Sequence, residues 1–180
     1  VPGKQRGADA GERKDAVAAI IEDWRRERPE LDTTPLEVLA RLHRTFVLYQ
    51  AQTNRPVSEH GLSWAGFDVL TALRRAGEPF QLTAGELAAS GLISSAGVTL
   101  RLDRLEKDGL IVRERDSEDR RVVHCRLTPE GLRVIDELFV QHLDKERHML
   151  AGLTAEECGQ LSTLLRKLEV SLDAARQEES

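Results

Sequence analysis

The chain has 180 residues, of which 40% are apolar and 32% charged; that suits one ordinary domain, or one domain with an extension, with a proper core, and is too charged for a membrane protein. Apolar runs stay far below the ~18 residues that span a bilayer, no secretion signal is recognisable, and two cysteines exclude a disulfide scaffold, so a reducing cytoplasm is the expected setting. The net charge of −5 counts against nucleic acid only if it is evenly spread, yet residues 94–127 carry 8 basic and 7 acidic side chains against 6 and 11 in 128–180, and a local arginine cluster can hold phosphates on an acidic protein.

Residues 1–8 are polar and read as a flexible N-terminus. Ala16, Val17, Ile20, Ile21 and Trp24 fall at helical spacing and predict an amphipathic helix over 9–28, which Arg28-Pro29 ends. Asp32-Thr33-Thr34-Pro35 opens a second helix, a cap followed by a first-turn proline. Its apolar face runs through Leu36, Leu39, Leu42, Phe46 and Tyr49 to about residue 53, and 54–61 reads as a loop or frayed end. Ser63 caps a third helix that Gly77-Glu78-Pro79 stops.

The pattern then shortens. Leu82 to Ala89 predicts a short capped helix, Ser90-Gly91 a turn, and Ser94-Ser95 the cap of a helix ending at Asp108-Gly109. Leu110–Arg115 and Val122–Leu127, two β-branched runs around a charged turn at 116–121, predict a hairpin. Thr128-Pro129-Glu130 opens a long helix to about 150. Thr154 and Glu157 form a capping box for a last helix, whose Leu161, Leu165, Leu168 and Leu172 make a coiled-coil-like seam.

Short helix, turn, helix and β-hairpin is the order of a winged helix-turn-helix, whose second helix enters the major groove while the hairpin reaches an adjacent groove or the backbone. Val98, Leu102 and Leu105 form that helix's packing stripe. Ser94, Ser95 and Thr99 near its N-terminus can bond phosphates or base edges, with Arg104 on its outer side and Arg120 and Arg121 at the hairpin tip as further DNA-binding candidates. The flanking helices carry apolar seams with no partner left in a small domain, so a two-fold homodimer on a pseudo-palindromic operator is expected. The predicted class is mainly α with a small β-hairpin: N-terminal helices at 9–60, a DNA-binding winged helix-turn-helix at 61–127, and C-terminal dimerisation helices at 128–180. A winged-helix dimer acting mainly through protein–protein contacts is the competing reading.

Leu87-Ala88 through Val98-Thr99, Arg101 through Ile111, Asp116 through Arg121, and Leu127-Thr128-Pro129-Glu130-Gly131 resemble the MarR family of transcriptional regulators. The resemblance covers roughly residues 36–176, and Asp119-Arg120-Arg121 followed by Leu127-Thr128-x-x-Gly131 is its most specific part. It implies a homodimer that usually represses promoters and releases double-stranded DNA when a small, often anionic or phenolic, ligand binds.

Asp68 is the only charge in Leu62–Leu73 and follows Trp64 by four residues, so the two share a helical face. At ~100° per residue, Arg101 lies only about 65° from the centre of the Val98-Leu102-Leu105 stripe and Arg104 about twice as far. The residues alone allow a structural Asp68–Arg101 salt bridge with Arg113 solvated. A urate-responsive, UrtR/PecS-like MarR subgroup implies another role: an extra N-terminal helix with a Trp, an Asp in the third helix, an Arg in the recognition helix and an Arg opening the wing form its ligand site. Trp24, Asp68, Arg101 and Arg113 match those positions. The implied ligand is urate, another purine or a citrate-like acid.

No HExxH, closely spaced Cys/His set, phosphate loop or nucleophile elbow occurs, so neither a metal, a cofactor nor an enzyme is expected. His142 and Glu146, one helical turn apart, read as an exposed polar face. Neither Cys125 nor Cys158 lies near the N-terminus, where peroxide-sensing MarR proteins carry their reactive thiol.

Overall fold

The computed structural model describes residues 15–89, 98–117, 119 and 122–178. Its elements are α1 (Ala16–Glu27), α2 (Thr34–Glu59), α3 (Trp64–Arg75), β1 (Gln81–Thr83), α4 (Ala84–Ala89), α5 (Val98–Lys107), β2 (Ile111–Arg115), β3 (Val123–Leu127), α6 (Pro129–Met149) and α7 (Ala155–Glu178). The chain is mainly helical, with the short helices and hairpin of a winged helix-turn-helix set between longer terminal helices. It divides into two compact units, one ending at Gln52 and the other beginning at Thr53. Among the described residues no helix is long and apolar enough to cross a membrane.

The helix starts follow side-chain caps. The Asp15 carboxylate accepts from Val17 N and Ala18 N at 3.0 and 3.2 Å and caps α1 at Ala16; the expected start at 9–14 lies outside the described residues. The Ser63 hydroxyl accepts from Gly66 N at 3.1 Å, and Thr154 and Glu157 close the expected capping box, with Thr154 N donating to Glu157 at 2.7 Å and Glu157 N to the Thr154 hydroxyl at 3.2 Å.

Two expectations are corrected. Residues 54–59 are not a loop: α2 continues through Pro56, because Val57 is anchored in the core at 2% exposure. The helix stops only at Gly61, whose φ of 72° closes the last turn through bonds from Leu62 N to Val57 O and Gly61 N to Ser58 O. The hairpin also gains a third strand. Gln81-Leu82-Thr83 pairs antiparallel with β3, Leu82 opposite Cys125, so the sheet order is β1-β3-β2. Thr83 ends β1 and also caps α4, its hydroxyl accepting from Glu86 N at 3.2 Å.

The core of the second unit lies between α3, α5, α6 and the sheet. Val69, Leu70, Leu73, Leu87, Leu105, Ile111, Cys125, Ile135 and Leu138 are essentially inaccessible. The junction of α5, wing and α6 is fastened by backbone bonds. Leu110 N donates to Leu105 O and Gly109 N to Glu106 O at the end of α5. Thr128 N then donates to Leu110 O at 3.1 Å, and the Thr128 hydroxyl donates to Gly109 O at 2.8 Å while accepting from Gly131 N at 2.9 Å. The start of α6 is thereby tied to the root of the wing.

Candidate functional site

α5 presents three sides, each set by the helical period. Leu102 and Leu105, 3% and 2% exposed, face the core; the Val98 side chain, third in the predicted stripe, lies outside the described residues. Asp103 and Glu106 turn toward β2. Thr99, Leu100, Arg104 and Lys107 are exposed. Among the described residues Arg104 is held only by Asp108 at 3.6 Å, with 70% of its side chain accessible, which leaves it able to meet a phosphate. Leu100, 75% exposed, was not foreseen as a site residue; a bare leucine on such a helix suits the methyl group of a thymine. The other DNA-binding candidates, Ser94, Ser95, Arg120 and Arg121, lie outside the described residues.

Asp68 is half-buried on α3. Burial pushes its carboxyl pKa up; Arg101 is the foremost charge pulling it back, followed by His142 and Arg75. Arg101 acts on Asp68 as a nearby charge rather than as a hydrogen-bond partner, so the direct salt bridge allowed by the sequence is not made. Arg101 instead lines a pocket of about 150 Å³ with Leu62, Ser63 and Gly66 of the α3 start and Leu100, Arg104, Leu105 and Asp108 of the α5 region. Cavities of roughly this volume accept a single six-membered ring.

Arg113 is neither solvated nor free. Its side chain is 27% exposed and pairs with Asp103 at 2.7 Å and Glu106 at 2.5 Å. The guanidinium holds the Glu106 carboxyl below its ordinary pKa. Trp24 belongs to the N-terminal unit, where it is 46% exposed beside Ile20, Asp23 and Glu27. The structure thus places Arg101 near Asp68, and commits Arg113 to two acids of its own unit.

His142 departs from the sequence reading. Its side chain is only 12% exposed and pairs with Glu146 at 3.2 Å. The ring packs on Trp64, Phe67 and Phe139 at centroid distances of 5.5, 5.2 and 6.2 Å. The signal was present: Ile135, Leu138, Phe139 and His142 follow the helical apolar spacing, and only the polarity of imidazole hid it. Among the described residues no group of three or more His, Cys, Asp and Glu is placed to hold a metal ion.

A family model described as the MarR family matches residues 60–122. The transcriptional regulator PecS of Dickeya dadantii (strain 3937) is 35% identical over 156 residues, covering 87% of this chain and 94% of PecS. Among solved structures, AbsC, a MarR family regulator from Streptomyces coelicolor, superposes with a TM-score of 0.71 at 22% identity over 80% of this chain and 97% of AbsC. Bordetella bronchiseptica BpsR, whose DNA binding is regulated by 6-hydroxynicotinic acid, gives 0.66 at 27% identity over 74% of this chain and 98% of BpsR.

Proposed function

The chain belongs to the MarR family of non-enzymatic, DNA-binding transcriptional regulators, and from that membership we propose that it is a cytoplasmic, homodimeric repressor of the UrtR/PecS-like type, releasing a pseudo-palindromic operator when a small anion binds. Residues 61–127 are the DNA-binding module. α5 enters the major groove with Thr99 and Arg104, and Leu100 adds an apolar base contact; Ser94, Ser95, Arg120 and Arg121 contribute from the helix start and the wing tip.

Dimerisation is supported by the terminal helices. α7 buries no residue in the single chain, and Phe46, Val140, Leu164 and Leu172 are each at least half exposed. Such faces, at 9–60 and 128–180, are covered by a second copy, which brings two recognition helices to one duplex.

The observation that carries the ligand-responsive reading is Asp68: a carboxylate half-buried behind the recognition helix, disfavoured there by burial and steadied chiefly by Arg101 of that helix. An anion bound close to Asp68 repels it and loosens its hold on Arg101, which shifts α5. Urate, another purine or a citrate-like acid fits this electrostatic scheme, and the similarity to BpsR, whose DNA binding is regulated by 6-hydroxynicotinic acid, supports a small acid as ligand. A preference of about 1.4 kcal/mol for the released state changes the equilibrium tenfold.

The test is a thermal-shift screen of the purified protein against urate, xanthine, trans-aconitate and salicylate, followed by Asp68→Ala. A hit that stabilises the protein and releases upstream DNA is expected, with Asp68→Ala binding that DNA but responding weakly. A normal response in Asp68→Ala refutes the relay.

A further inference from the structure

Among the described residues, Arg113 ties the wing to α5 by polar bonds. β2 is an edge strand, and Arg113 in its middle is pinned to α5 three ways by Glu106. Its backbone N–H donates to Glu106 Oε1 at 3.2 Å, its Nε to Oε2 at 2.9 Å and its Nη2 to Oε2 at 2.5 Å. Asp103, one turn earlier on the same side of α5, takes Nη2 as well, at 2.7 Å. Two carboxylates thus converge on one guanidinium in charge-assisted bonds, which are stronger than neutral ones. The arrangement bridges the two elements expected to touch DNA and leaves them less freedom to move separately.

We infer that Glu106, assisted by Asp103, is a positioning residue for operator recognition: by holding Arg113 it fixes the wing at one angle to the recognition helix. The inference rests on the reading that α5 and the wing dock on DNA. It makes a prediction opposite in sign to simple electrostatics. An acid on a DNA-facing element repels phosphates, so removing its charge should tighten binding if the acid is only a surface charge. If the acid instead positions the wing, its removal loosens binding to the right sequence and leaves random-sequence binding unchanged or slightly tighter.

The experiment measures dissociation constants of the full-length wild type and Glu106→Gln for a duplex from the region upstream of this chain's own gene and for a random duplex of equal length, across a salt series. Glu106→Gln is expected to weaken the specific complex about tenfold with an unchanged salt slope, since no phosphate contact is removed. Asp103→Asn, at the more exposed carboxylate, should shift affinity the same way by a smaller factor and serves as the milder variant should Glu106→Gln fold poorly. A cycle with Arg113→Gln should be non-additive, the double variant binding no worse than Arg113→Gln alone. Specific binding that is equal or tighter in both acid variants overturns the inference. A wild type that prefers no duplex overturns the DNA-docking reading and the inference with it.

Discussion

Gly131→Ala tests the junction that sets the wing. A Cβ on Gly131 would lie 1.9 Å from Leu110 O, 2.9 Å from Leu110 C and 3.2 Å from Leu110 Cα. These are backbone atoms with no rotamer to retreat into, and the Leu110 carbonyl also accepts from Thr128 N. The start of α6 would have to withdraw by roughly 1.5 Å to reach ordinary contact. Overpacking costs about 1–3 kcal/mol, and two opposed backbones belong at the upper end; the stretched Thr128–Leu110 bond forfeits about 1 kcal/mol more. Alanine's helix preference over glycine returns at most about 1 kcal/mol. The clash therefore wins, with a net loss of about 3 kcal/mol. With a urea slope of about 2 kcal/mol per molar, the midpoint falls by roughly 1.5 M. Equilibrium unfolding followed by far-UV circular dichroism, at one fixed protein concentration, measures it. An unchanged or raised midpoint refutes the steric argument.

Three further outcomes are expected. Asp68→Asn probes the raised carboxyl pKa: the folded state holds this proton more tightly than the unfolded chain, so wild-type stability is greatest below the unfolded value and declines as pH rises through the folded one. The Asn variant should be the more stable at pH 7, the gap closing on acidification; urea midpoints that run parallel with pH contradict this. Arg104→Ala should weaken binding to every duplex and lower the salt slope by about 1, read from affinity at several ionic strengths; an unaltered slope removes Arg104 from the phosphate contacts. Leu172→Asp, at a half-exposed seam position, should give a single-chain species in sedimentation with lost operator affinity; a persistent dimer places the interface elsewhere.

What the sequence disclosed was local. Ser63, Thr128 and the Thr154–Glu157 box announced their helices because a cap acts within three or four residues. The β2–β3 hairpin was legible for the same reason. β1 was not: three residues are too short for alternation, and their pairing partner lies beyond α4 and α5. His142 escaped because the polarity of its imidazole hid its place in the apolar spacing of α6. Asp68 stood out as a charge among apolar neighbours, but its separation from Arg101 depends on how α3 meets α5. The pairing of Arg113 with Glu106 appears only once the chain has reversed at Gly109, so the side chain expected to greet a ligand was found already engaged.

The bare apolar surface of α7 bears on how the regulator persists in a cell. A twenty-four-residue helix that fully buries no residue within its own chain draws little order from that chain, since isolated helices are only marginally formed in water. With association supplying the missing cover, melting temperature rises with protein concentration. If a second copy is that cover, as proposed, dilution bares α7 again and the regulator's stability becomes a function of how much of it is made.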